Sequence, residues 1–189
     1  MRSVQYVRLS PEQVAEAREI AVARHEYDVS RPEIRNLRQS SENDVEIHAR
    51  GIRAEFAFGI FAGLEPDRRT DAWNDWDFLI GTTRVDVKGP AYSTQALYVE
   101  IGKRAKKIDA FAVVREITPS QYAVLGYQYA DLVMDPKRIT LNERTGRERY
   151  EYPFHELESV NLLALLCYRE GLRSEIITRI MTNTIEEVR

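Results

Sequence analysis

The chain has 189 residues, 30% of them charged and 43% hydrophobic, which suits one domain able to bury a core without disulfides or structural metals. A net charge of -3 and a pI near 5.7 exclude a chain that is basic throughout, so a nucleic-acid partner would have to be met by local patches. No apolar run approaches the roughly 18 residues of a membrane span, "MRSVQYVRLSPEQ" lacks a secretory h-region, and the single Cys167 cannot form an internal disulfide; a cytoplasmic protein without a membrane partner is expected.

In chain order, Ser10 reads as an N-cap, Pro11 as the first helical residue and Gln13 as the partner in a capping box, with a helix to about His25. "DVSRPEIRNLRQSSEN" reads as a loop. A second helix from about Glu42 to Ala62 follows from Ala49, Ile52, Phe56, Gly59 and Ile60, and Gly63 and Pro66 end it. After "EPDRRTDAWND" the period changes to two. Strands are expected at Trp76 to Ile80, Arg84 to Lys88, Ala96 to Ile101, Ala110 to Ile117 and Tyr122 to Tyr129, with a shorter pair around "RITL" and "RYEY". Two helices joined near Gly171 close the chain, Cys167 reading as core of the first. The second carries Ile177, Ile180, Met181, Thr184 and Val188 on one face. This order predicts a single α/β or α+β domain with a central mixed sheet flanked by helices, its core spanning about 42–155 and a helical extension about 156–189.

The stretch "WDFLIGTTRVDVKG" carries the chemistry. An acid two residues before a lysine is a weak pattern. It occurs twice, and Asp135-Pro136-Lys137 reads as a turn because Pro136 cannot donate to a ladder. Asp86-Val87-Lys88 has better context. If Gly81-Thr82 forms a two-residue type II′ turn, Ile80 faces Thr83, Phe78 faces Val85, Asp77 faces Asp86 and Trp76 faces Val87. Trp76, Phe78, Ile80, Val85 and Val87 then share a core face, while Asp77, Asp86 and Lys88 share the other. Opposed aspartates repel, so a positive charge should lie between them: Lys88, or a divalent cation such as Mg²⁺, which takes hard oxygen ligands. The structural alternative is a salt-bridge cluster on a solvated sheet face. At roughly 100° per residue, Glu55 falls about -60° from Ile52 and His48 about -40°, both flanking the apolar face of the second helix. A carboxylate there needs a partner, and a lone histidine there is more often a boundary residue.

A helix bearing "GIRAEFAFG", then Asp77, a hairpin and Asp86-Val87-Lys88, resembles the PD-(D/E)xK nuclease superfamily over roughly Glu42 to Ile117. The resemblance implies a restriction-endonuclease-like core and Mg²⁺-dependent hydrolysis of phosphodiester bonds, with Mn²⁺ able to substitute and DNA the expected substrate. By it, Glu55 matches the helix acid, Asp77 the first-strand aspartate, and Asp86 and Lys88 the bipartite motif. Asp77, Asp86, the Val87 carbonyl and Glu55 would ligate metal. Lys88 would orient or deprotonate the attacking water and steady the phosphate. Tyr92 and the run Lys103, Arg104, Lys106 and Lys107 could touch the nucleic-acid backbone. Two features depart from the family: Trp76 replaces the proline common before the aspartate, and Gly89-Pro90 follows the lysine where many relatives have Thr or Ser; the "QxxxY" helix of the RecB-like branch is also missing.

Further basic patches lie at Arg68 and Arg69, and at Arg144, Arg147 and Arg149, each equally readable as a solvated surface. His25, His48 and His155 lack zinc-site spacing, and the chain has no nucleophile motif, Walker loop or GxGxxG. A rival from another class is a catalytically silent nuclease-fold protein that binds nucleic acid or a protein partner. The stripe on the last helix, if exposed, would make a homodimer; otherwise it is core.

Overall fold

The computed structural model of the chain describes residues 4–30, 42–70, 75–91, 93–143, 145–172 and 174–187. A short strand, β1 (Gln5–Arg8), precedes helix α1 (Pro11–Val29). The helix starts where its sequence dictates: Gln13 N donates to Ser10 Oγ at 3.2 Å, and Ser10 N donates to Gln13 Oε1 at 2.9 Å, a reciprocal capping box. Helix α2 (Glu42–Ala62) buries Ala49, Ile52 and Phe56 and ends at Gly63, whose φ of 72° is the left-handed stop that glycine permits. There follow β2 (Phe78–Ile80), β3 (Thr83–Lys88), β4 (Ala96–Glu100), β5 (Ala110–Thr118), β6 (Gln121–Tyr129), the one-turn α3 (Ala130–Val133), β7 (Ile139–Asn142), β8 (Arg147–Pro153), α4 (Val160–Arg169) and α5 (Glu175–Glu187).

Five strands form a mixed sheet in the order β1-β6-β5-β3-β2, in which only β3 and β5 run parallel. The hairpin follows the turn chemistry, with Gly81 at φ 60° and pairs Ile80 with Thr83, Leu79 with Arg84 and Phe78 with Val85. Strand β1 was not expected. Gln5-Tyr6-Val7-Arg8 does not alternate polar with apolar, and these residues become a strand because the β6 edge offers a partner.

Alternation along β3 and β5 separates two cores. Val85 pairs with Ala110 and Val87 with Ala112, and this side packs with Ala17 of α1, Phe56 of α2, Leu163 of α4 and Ile177 of α5. Phe111 and Val113 face the other way, against Leu97, Val99, Tyr150 and Tyr152. The latter come from a second, antiparallel sheet, β4-β8-β7. The four long helices therefore share one core on one face of the mixed sheet, as flanking helices were expected to do, while a second sheet covers the opposite face. The strands β4 and β8 each have one apolar face, and a sheet face is what buries it.

At the C-terminal side, Glu158 N donates to Tyr127 O at 2.8 Å and Tyr127 N to Glu158 O at 3.2 Å. Ser159 Oγ then caps α4 by accepting from Leu162 N at 3.3 Å. Ile177 and Ile180 are buried in the chain's own core, with Met181 packed against it, so this part of the stripe is core and not a free dimer face; the Thr184 side chain and Val188 lie outside the described residues. Cys167 is fully buried, which pushes its thiol up to about 12 and leaves it unsuited to nucleophilic work. Asp135-Pro136-Lys137 is a turn, with Asp135 Oδ1 accepting from Lys137 N at 2.9 Å.

Gly126 sits at φ 141° beside a β5/β6 bulge, and a Cβ there would collide with the Glu158 carbonyl oxygen. Gly126→Ala should cost about 3 kcal/mol or more in chemical denaturation. Gly102→Ala, with nothing near the added carbon, should change stability by less than about 1 kcal/mol.

Candidate active site

The site forms where α2 crosses the end of β3. A Cβ on Gly89 would lie 2.8 Å from Ala54 Cβ and 3.2 Å from Arg50 O, and Arg50 Nε donates to Gly89 O at 3.2 Å. Only glycine allows this approach. It carries Glu55, the next residue after Ala54, to the end of the strand, so the Gly89-Pro90 departure has a packing reason. Arg53, 3% exposed, holds α2 in place: its Nε donates to Tyr122 Oη at 2.9 Å and Nη2 to Glu116 Oε1 at 3.1 Å.

The pairing of Asp86 with Phe111 and Lys88 with Val113 turns both charged residues away from the helices. Asp86 is only 3% exposed. Lys88 Nζ pairs with its Oδ2, and Lys103 Nζ lies 2.9 Å from Oδ1. The Lys88 ammonium also stands 5.7 Å from the Phe111 ring centroid.

Asp77 does not sit in a ladder opposite Asp86. It precedes β2, its N–H donates to Val85 O at 2.9 Å, and its Oδ2 accepts from Val87 N at 2.6 Å. The carboxylate thus replaces a strand residue's carbonyl at the end of the hairpin. Because pairing ends there, the period of two does not extend back to Trp76. That residue is half-buried and lines the site, with the Arg84 guanidinium 5.9 Å from its ring, and is not part of the core as expected.

Glu55, Asp77, Asp86 and Lys88 line one cleft of about 720 Å³. Burial, then the charge of Asp77, pushes Glu55 well above the usual carboxylate range, with Arg24 opposing. Burial, then Asp86, raises Asp77 to about 6. Burial alone would lower Lys88, but Asp86 and Asp77 outweigh it and raise its affinity for its proton. Three carboxylates thus share the cleft against both desolvation and mutual repulsion, and as hard oxygen donors they fit a divalent cation such as Mg²⁺. Among the described residues the acids are not drawn into a preformed ligand triad, since lysines hold both oxygens of Asp86 and the Val87 N–H holds Asp77.

The basic run divides. Lys103 enters the cleft and Lys106 lines it while pairing with Asp75 at 3.2 Å, whereas Arg104 and Lys107 are exposed. Arg68 pairs with Glu16 and Glu65, and Arg69 with Asp67, so that patch is compensated locally. Arg149 stacks on Tyr98 with its guanidinium carbon 3.6 Å from the ring centroid, and Arg147 is exposed. Tyr92 and Arg144 lie outside the described residues. His48 lines the cleft, its ring 6.4 Å from that of His25. Two residues of the site were not foreseen. Arg24 of α1, fixed by bonds to Asp67 O at 3.0 Å and Arg69 O at 3.2 Å, bears on Glu55; no local pattern marks it. Lys103 was read only as a backbone contact, because nothing in "KRAKK" signals its partner.

No protein-family model, curated protein or solved structure matches the chain, and among the described residues no helix is long and apolar enough to cross a membrane.

A carboxyl whose pKa is raised on folding favours the fold when protonated, and that stability is lost as pH rises from its ordinary value through the folded one. Asp77→Asn, which keeps an oxygen for the Val87 N–H, should therefore stabilise the protein by about 3 kcal/mol at pH 8. The gain should shrink through pH 6 and vanish near pH 3.8, the ordinary aspartate value; thermal melts of both proteins across this range check it.

Proposed function

We propose that the protein is a metal-dependent nuclease that hydrolyses phosphodiester bonds, with DNA as substrate on the strength of the PD-(D/E)xK resemblance. The observation that carries the reading is the meeting of Glu55, Asp77, Asp86 and Lys88 in one cleft, from a helix, a loop and a strand. The mixed sheet, with its β2–β3 hairpin and parallel β3/β5 pair beside α2, supports a restriction-endonuclease-like core.

Asp77, Asp86, the Val87 carbonyl and Glu55 are the oxygens that would hold Mg²⁺ or Mn²⁺. Bound there, the ion would supply a Lewis acid that acidifies water and draws charge from phosphate. In hydrolysis a water oxygen bonds to phosphorus, the bond to the 3′ oxygen breaks, and a water proton ends on that oxygen. Lys88 contributes a fixed positive charge beside the phosphate. Asp86 and Asp77 hold its proton in place, which suits electrostatic stabilisation rather than general-base work. Arg24 and Trp76 narrow the approach, and Arg104 and Lys107 lie outside the cleft where a nucleic-acid backbone could run.

Incubation with single-stranded, duplex, flap and branched DNA and with RNA, in Mg²⁺, Mn²⁺ or EDTA, tests this. Cleavage should require the divalent ion, and Lys88→Ala and Asp86→Asn should each lower it by about 100-fold or more. A Lys88→Ala protein as active as wild type would remove the catalytic assignment. Binding without any cleavage would favour the silent nuclease-fold alternative.

A further inference from the structure

We propose that Lys103 is an exchangeable counter-ion of the site, neutralising Asp86 when no divalent cation is bound and moving its ammonium onto a substrate phosphate when one is. This rests on the nuclease reading and adds to it a second lysine with two positions.

Asp86 is 3% exposed and cannot stay ionised without compensation. Lys88, two residues along the same strand, provides part of it. Lys103 arrives from a separate element, a 3-10 turn at Ile101–Ala105 between β4 and β5, none of whose residues is buried. Space is open around Gly102. Ile101 at its start packs against the second core, and beyond it two side-chain ion pairs hold the turn to the site, Lys103 to Asp86 at 2.9 Å and Lys106 to Asp75 at 3.2 Å. Both can exchange without disturbing a packed core. Lysine suits such a role, being a compact charge on a flexible stem with three rotatable donors.

Charge balance points the same way. With Glu55, Asp77 and Asp86 ionised, the positive charges of Lys88, Lys103 and Arg24 already balance them, so an added divalent cation would leave an excess positive charge that withdrawal of Lys103 halves. The released ammonium stays at the mouth of the cleft, where a phosphodiester is the anion that would take it.

Calorimetric titration with Mn²⁺, without nucleic acid, separates this from a general surface charge. Lys103→Met and Lys103→Gln should bind Mn²⁺ about tenfold tighter than wild type. Lys106→Met, which removes an equal charge not paired with Asp86, should change affinity by less than about twofold, and Lys103→Arg should resemble wild type. In Ca²⁺, Lys103→Met should bind a DNA oligonucleotide about tenfold more weakly, with the slope of log affinity against log salt reduced by about one. Wild-type Mn²⁺ affinity in Lys103→Met, or an equal gain in Lys106→Met, overturns the counter-ion role alone; unchanged oligonucleotide binding overturns the phosphate position. A wild-type protein that binds no Mn²⁺ overturns the nuclease reading and this inference together.

Discussion

A carboxylate buried in the middle of a strand governs this structure. Asp86 is only 3% exposed, and removing a charge from water costs several kcal/mol unless cations and hydrogen bonds repay it. Two lysines from different elements do so. The acids around it make the arrangement harder still, since burial and the charge of Asp77 raise Glu55, and burial and the charge of Asp86 raise Asp77. Packing alone does not account for such a cluster.

The scaffold holds this cluster through backbone approach and a second buried charge. Gly89 lets α2 lie against the end of β3, and Arg53, the neighbour of Ala54, is locked by Tyr122 and Glu116. Rotation of α2 about its axis is thereby limited, and with it the aim of Glu55. Ser174 Oγ, donating to Phe61 O and accepting from Ile177 N at 3.1 Å, joins the start of α5 to the last turn of α2. Terminal helices far from the acids in sequence thus help to set their geometry.

Two cores back to back explain where the cleft lies. The helices fill one face of the mixed sheet and the β4-β8-β7 sheet fills the other. The chain that joins the parallel strands β3 and β5 must leave the mixed sheet, contribute β4 to the second, and return. The turn bearing Lys103 lies on that return path, which is why a lysine distant from Asp86 in sequence meets it in space.

What the sequence determined by itself was local. The Ser10–Gln13 capping box, the span of α2, the Gly81-Thr82 turn with its Phe78–Val85 register and the Asp86/Lys88 pair depend on neighbours within a few residues, where periodicity and turn chemistry act directly. Tertiary structure decided the rest. β1 exists because an edge was open, Asp77 folds back onto the Val87 N–H, Trp76 leaves the core, and a second sheet covers one face. Arg24 and Lys103 reach the acids from α1 and a 3-10 turn. Each of these depends on which distant surface meets which, and an ion pair between remote residues leaves no periodic trace in either segment.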